Sequence, residues 1–183
     1  MKRVLMSAAA VTALMAGTAT AQDLIFPVGE GAFNWDSYAE LEKIDLNGEQ
    51  VTVFGPWLGP DQELVENVLA YFAAATGADV RYAGSDSFEQ QIVVDAEAGS
   101  APNVAVFPQP GLVSDMAKRG FVTPLGDETA NWVRDNYAAG QSWVDLGTFS
   151  GPDGNDGLFG LFYKVDVKSL VWYNPENFED FGY

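Results

Sequence analysis

The sequence predicts an α/β fold, with a mostly parallel sheet flanked by helices. Three observations carry that expectation. Short apolar runs at Val51–Phe54, Val80–Tyr82 and Asn103–Phe107 alternate with longer segments whose apolar residues recur at helical spacing. The third run, Asn103–Phe107, has the character of a buried strand. Each helical segment is closed by a glycine, at Gly77, Gly99 and Gly120.

The elements follow in order. Met1-Lys2-Arg3, the apolar stretch Val4–Gly17 and Ala19-Thr20-Ala21 have the form of a secretory leader cleaved after Ala21. Its apolar core is too short to span a bilayer. Asp36–Glu42 is expected as a short helix and Leu46-Asn47-Gly48-Glu49 as a turn. The first strand, Val51–Phe54, is ended by Gly55-Pro56. From Asp61, residues Leu64, Val65, Val68, Leu69 and Phe72 mark a helix up to Gly77. After Val80–Tyr82, Asp86 and Glu89 have capping-box spacing and open a helix through Ala98. Asn103–Phe107 is the third strand and Gly111–Arg119 the third helix. Glu128–Tyr137 reads as another helix. Gly151-Pro152-Asp153-Gly154-Asn155-Asp156-Gly157 reads as a hairpin turn, with aromatic strands expected at Leu158–Tyr163 and Ser169–Tyr173. That turn lacks the closing glutamate of a calcium loop, so no metal site is expected there.

Composition narrows the function. The 183 residues carry a formal charge of −17. Removing the leader leaves seven basic against 26 acidic residues, a balance of −19. A surface that negative repels phosphate backbones and anionic lipid, so no nucleic-acid partner is expected. There is no Cys and no His. Disulfides, Ser-His-Asp and Cys-His arrangements and the common zinc sites are therefore excluded. No cofactor is expected.

The order strand, Gly55-Pro56-Trp57, helix, strand, Ser85-Asp86-Ser87, helix, Pro102-Asn103-Val104-Ala105-Val106-Phe107 resembles the extracellular solute-binding proteins of bacterial ABC sugar importers. So does Ala117-Lys118-Arg119-Gly120-Phe121-Val122-Thr123-Pro124-Leu125. Gly160-Leu161-Phe162-Tyr163 followed by Ser169-Leu170-Val171-Trp172-Tyr173-Asn174-Pro175 is similar to the lobe-crossing segment of the maltose-binding class, with Phe162 and Pro175 where many members have Pro and Lys. Asp145-Leu146-Gly147-Thr148 resembles the α-glucoside-binding branch. The resemblance implies a periplasmic-binding-protein-like fold of two α/β lobes joined by a hinge. On that comparison residues 22–165 form the first lobe, itself incomplete. Residues 166–183 are the crossing and the opening of a largely missing second lobe, so the chain is expected to be truncated.

Sugar recognition needs aromatic faces for C–H groups and charged or amide partners for hydroxyls. About four hydrogen bonds to charged groups and one stacked ring support roughly micromolar binding, near −8 kcal/mol. Ligands of parallel sheets bind beyond the carboxyl ends of the strands. That places Trp57, Asp61, Ser85, Asp86, Ser87 and Gln109 as candidate ligand contacts, with Lys164, Asp166 and Trp172 on the crossing segment. Each has a plainer reading. Trp57 could pack its own loop, Asp61 and one of the Ser85–Ser87 group could cap helices, and Lys164 with Asp166 could form a surface ion pair. Trp172 and Tyr173 alternate faces on a strand, so one of them is expected in the core.

The function implied is a monomeric periplasmic carbohydrate-binding protein that captures an oligosaccharide, an α-glucoside by this resemblance, and delivers it to an ABC permease of the inner membrane by hinge closure. It would not be an enzyme. A secreted glycoside hydrolase with paired carboxylates, and a non-transport or chemoreceptor-docking protein on the same scaffold, are the alternatives. Product formation separates the first of these from a binder, and sugar-dependent stabilisation separates the second.

Overall fold

A computed structural model describes residues 24–164 and 171–182. The leader, Asp166 and the strand expected from Ser169 lie wholly or partly outside those residues. The chain divides into two compact units, one running to Phe88 and including Pro102–Val106, the other comprising Glu89–Ala101 and the chain from Phe107.

The first unit is built on a three-stranded parallel sheet of order β2-β1-β3, with β1 Gln50–Gly55, β2 Asp79–Gly84 and β3 Val104–Ala105. The register pairs Val53 with both Tyr82 and Val104, and Gly55 with Gly84. β1 is central, and its Val53, Phe54 and Gly55 are buried. The short helix α1, Trp35–Leu41, starts at Asn34, whose Oδ1 accepts the Ser37 N–H at 3.1 Å. Helix α2, Pro60–Thr76, begins with proline and ends at Gly77 in the left-handed conformation, φ 76°. Phe88 is almost wholly buried, its ring 4.9 Å from that of Phe54.

Side chains hold the sheet where main-chain pairing is sparse. Asn103 Oδ1 accepts both the N–H and the hydroxyl of Thr52, at 2.9 and 2.8 Å, and the Asn103 N–H donates back to Thr52 Oγ1 at 3.0 Å. The third strand is shorter than Asn103–Phe107 for this reason. Its first residue pairs through its side chain, and only the Val106 N–H continues the ladder, to Phe54 O at 2.8 Å. Ahead of the sheet, the Tyr71 hydroxyl of α2 bonds both the N–H and the carbonyl of Phe26, each at 2.9 Å. Phe33, Trp35 and Tyr38 surround the same ring.

The second unit carries α3, Phe88–Glu97, from Glu89 onward. It also holds α4 Pro110–Lys118, α5 Asp127–Asn136, α6 Gly140–Leu146 and α7 Pro175–Asp180. An antiparallel pair, β4 Thr148–Ser150 and β5 Asp156–Leu158, forms a hairpin. Ala130, Val133, Val144 and Leu158 form one buried cluster of this unit, with Tyr137 and Trp143 packed against them. The Gly151–Gly157 stretch is the expected turn. Asp153 accepts the Asn155 N–H at 3.1 Å and its side-chain amide at 2.7 Å, and Gly154 sits at φ 79°. Those bonds hold the Asp153 carboxyl below the usual aspartate range, the Asn155 side chain contributing most. Among the described residues no group of three acidic side chains could hold a metal ion.

Three expectations are corrected here. The strand expected at Leu158–Tyr163 is Asp156–Leu158: its partner strand starts only at Thr148, because Gly147 is the C-cap of α6, and the in-register bond from the Phe159 N–H to Gly147 O at 2.9 Å is the last of the pairing. Val171–Asn174 is not strand, and neither Trp172 nor Tyr173 is core: they are 87% and 61% exposed. A strand needs a paired neighbour, and none stands beside these positions among the described residues. The helix expected from Asp86 begins at Phe88, since the preceding turn is closed by Ser85.

Candidate functional site

The carboxyl ends of β1 and β2 adjoin, since Gly55 and Gly84 are register partners. Trp57 follows Gly55 by two residues and Ser85 follows Gly84 directly, so both leave the same edge of the sheet. The Ser85 N–H donates to Gly55 O at 3.0 Å, tying the two loops together. The Trp57 N–H donates to the Tyr82 hydroxyl at 3.0 Å, and that hydroxyl donates to Trp57 O at 3.2 Å. Their rings lie 6.4 Å apart, tilted by 30°. Burial pushes the Tyr82 phenol above its usual range; Glu66 adds to this and the Trp57 backbone opposes it. Trp57 is half-buried.

Asp61 is exposed and stands in the first turn of α2, behind Gly59 at the N-cap and Pro60. It is not the cap. Its charge faces the amino end of the helix dipole, a favourable place for a carboxylate. The Ser85–Ser87 group forms its own turn. Ser85 Oγ accepts the Ser87 N–H at 3.1 Å, Ser85 O accepts the Phe88 N–H at 3.2 Å, and the Ser87 hydroxyl donates to Asp86 Oδ1 at 3.2 Å. Asp86 therefore steadies the turn instead of capping the helix, and its carboxylate remains exposed.

In the second unit Gln109 is the N-cap of α4, in extended backbone, without a side-chain cap bond. Its Nε2 donates to Glu89 Oε1 at 2.9 Å. The amide carbonyl is left to accept, and the carboxylate beside it adds a strong acceptor. Glu89 was not a sequence candidate, because nothing local ties it to a residue 20 positions away. Lys164 lines an open recess of about 280 Å³ with Asn136, Tyr137, Trp143, Phe162 and Tyr163. Trp143 is the middle ring of that wall, 6.2 Å from Tyr137 and 5.6 Å from Phe162. Tyr137 lies at the end of the helix expected at Glu128–Tyr137, and Phe162 and Tyr163 lie in the aromatic run expected at Leu158–Tyr163, with nothing local to join the two stretches. Trp172 is exposed, and Asp166 lies outside the described residues.

Each unit thus sets rings beside acids and amides, an arrangement able to stack on an apolar face and to give and accept hydrogen bonds. Residues 55–183 match the family described as bacterial extracellular solute-binding protein. The whole chain aligns at 56% identity with the alpha-glucosides-binding periplasmic protein AglE of Rhizobium meliloti (strain 1021), covering 42% of that protein. Over 76% of the chain it is 40% identical to the osmoprotective compounds-binding protein GgtB of Synechocystis sp. (strain ATCC 27184 / PCC 6803 / Kazusa), covering 32% of it. The chain therefore spans less than half the length of these relatives. The family match over residues 55–183, most of the chain, establishes that the chain belongs to the bacterial extracellular solute-binding protein family.

Proposed function

We propose that this chain is the amino-terminal portion of a periplasmic protein that binds an α-glucoside and passes it to an ABC permease. The observation that carries the proposal is the 56% identity, over the full chain, to a protein named for binding alpha-glucosides in the periplasm. The leader is removed after Ala21, residues 22–165 form the first lobe, and 166–183 begin the crossing. Trp57 supplies a stacking face. Asp61, Ser85, Asp86, Ser87, Gln109, Lys164 and Asp166 supply polar contacts, and Trp172 a further ring. The protein works as a monomer and makes or breaks no bond; sugar favours a closed form that the permease recognises.

An uncharged sugar suits this chain, because its acids would repel an anionic solute and its rings would pack against pyranose C–H faces. A second reading takes an osmoprotective compound as the ligand, on the strength of the 40% relative. Thermal melting of the mature product of the complete reading frame separates the two. A ligand at a hundred times its Kd adds about 2.7 kcal/mol of stability. Maltose at millimolar concentration is expected to raise the melting temperature, while glycine betaine leaves it unchanged. Stabilisation by glycine betaine alone would transfer the assignment to the second reading, and release of glucose from maltose would replace binding by hydrolysis.

A further inference from the structure

We infer that Tyr82 is a positioning residue for ligand binding: its hydroxyl clamps the main chain of Trp57 and so fixes the indole at the strand edge. The inference rests on the proposed role of Trp57 as a sugar contact. One hydroxyl uses both its capacities on one residue, accepting the Trp57 N–H at 3.0 Å and donating to its carbonyl at 3.2 Å. Two paired glycines leave room for that arrangement. A Cβ on Gly55 would stand 2.9 Å from the Tyr82 hydroxyl, and a Cβ on Gly84 would overlap the Trp57 carbonyl oxygen. Gly55 and Gly84 are also register partners, so the clamp closes over the last pair of the β1–β2 ladder.

The loop needs such a clamp. Between β1 and α2 it runs through Pro56-Trp57-Leu58-Gly59, with Gly59 at φ 57° and Leu58 about half exposed. No regular ladder holds it, and a glycine in the left-handed region gives it freedom to swing. A ring that must be ordered during binding costs affinity, whereas one ordered in advance does not. The tilted Tyr82 ring beside the indole adds a second restraint on the same residue.

The test is a double-substitution cycle on the mature product of the complete reading frame, with maltose as the probe and calorimetry as the readout. Tyr82→Phe keeps the ring and removes the clamp. It is expected to weaken the maltose Kd roughly three- to tenfold and to speed hydrogen exchange at the Trp57 amide while leaving Val53 unchanged. In a Trp57→Ala background the same substitution is expected to change Kd by less than about 1.5-fold, because there is no ring left to position. An equal loss in both backgrounds would make Tyr82 a general stabiliser and overturn the inference. If Trp57→Ala weakens binding but Tyr82→Phe does not, the clamp alone falls. If Trp57→Ala leaves Kd unchanged with the protein still folded, the sugar-contact reading of Trp57 falls and the inference with it.

Discussion

Replacing Gly84 by alanine tests the packing at the strand edge directly. Gly84 lies in β2 and is not left-handed, so backbone strain does not oppose a side chain there. Space does. The added methyl would overlap the Trp57 carbonyl oxygen, with Leu58 Cδ2 at 3.0 Å and the Trp57 carbonyl carbon at 3.1 Å. Backbone, unlike the end of a flexible side chain, yields only by moving its loop. Overpacking of this kind costs roughly 1–3 kcal/mol. Displacing Trp57 also strains its two bonds to Tyr82, each worth about 0.5–1.5 kcal/mol net. The lost freedom of the unfolded glycine returns about 0.4–1 kcal/mol. The balance is a destabilisation of roughly 1–5 kcal/mol, which for a chain of this size lowers Tm by about 2–20 °C. Circular dichroism melts give the number. Gly160→Ala is the control: that glycine is not left-handed, and its added methyl would make only an ordinary contact, with Val113 Cγ1 at 3.9 Å. A Gly84→Ala protein melting within about 1 °C of the parent would refute the close approach of the two loops.

Other outcomes follow from the same contacts. Above pH ~10 the unfolded chain releases the Tyr82 proton before the folded chain does, because burial raises the folded phenol. Stability should be full below that pH and fall as pH rises, with Tyr82→Phe showing a shallower fall in urea midpoints; Tyr38, raised mainly by burial, keeps part of the slope. The Asp79 carboxyl is held low chiefly by the Arg81 side chain and then by Gln50, so Arg81→Gln should raise its titration midpoint toward ~3.9 by carboxyl NMR. Asn103→Ala removes the acceptor of both Thr52 donors. It should cost about 1 kcal/mol or more and speed exchange of the Thr52 amide; unchanged exchange would deny that the side chain completes the sheet.

How much of this could be read beforehand depended on whether the signal was local. Helix α2 was legible from Asp61 to Gly77, one residue short of its start at Pro60, because periodic apolar residues and a closing glycine lie in one stretch. Gly120 and the Asp153-Gly154-Asn155 turn were legible for the same reason. The start of α3 was misplaced by two residues, since Asp86 and Glu89 have capping-box spacing but Ser85 closes the turn. Helix α6 was missed because only Val144 in it is buried, too little to impose a period. At the candidate site, Trp57 and Ser85 could be placed at one edge from strand order alone. Their partners could not. Tyr82 meets Trp57 across 25 residues and Glu89 meets Gln109 across 20, through register and packing that no window of sequence contains.

The account depends on a carbohydrate-binding edge that opens with Trp57. Isothermal calorimetry of maltose into the mature product of the complete reading frame, beside its Trp57→Ala variant, tests it most directly. The prediction is a Kd of about 1–10 µM for the parent and a loss of tenfold or more in the variant. No binding heat up to about 1 mM sugar, or equal affinity in both proteins, would contradict it.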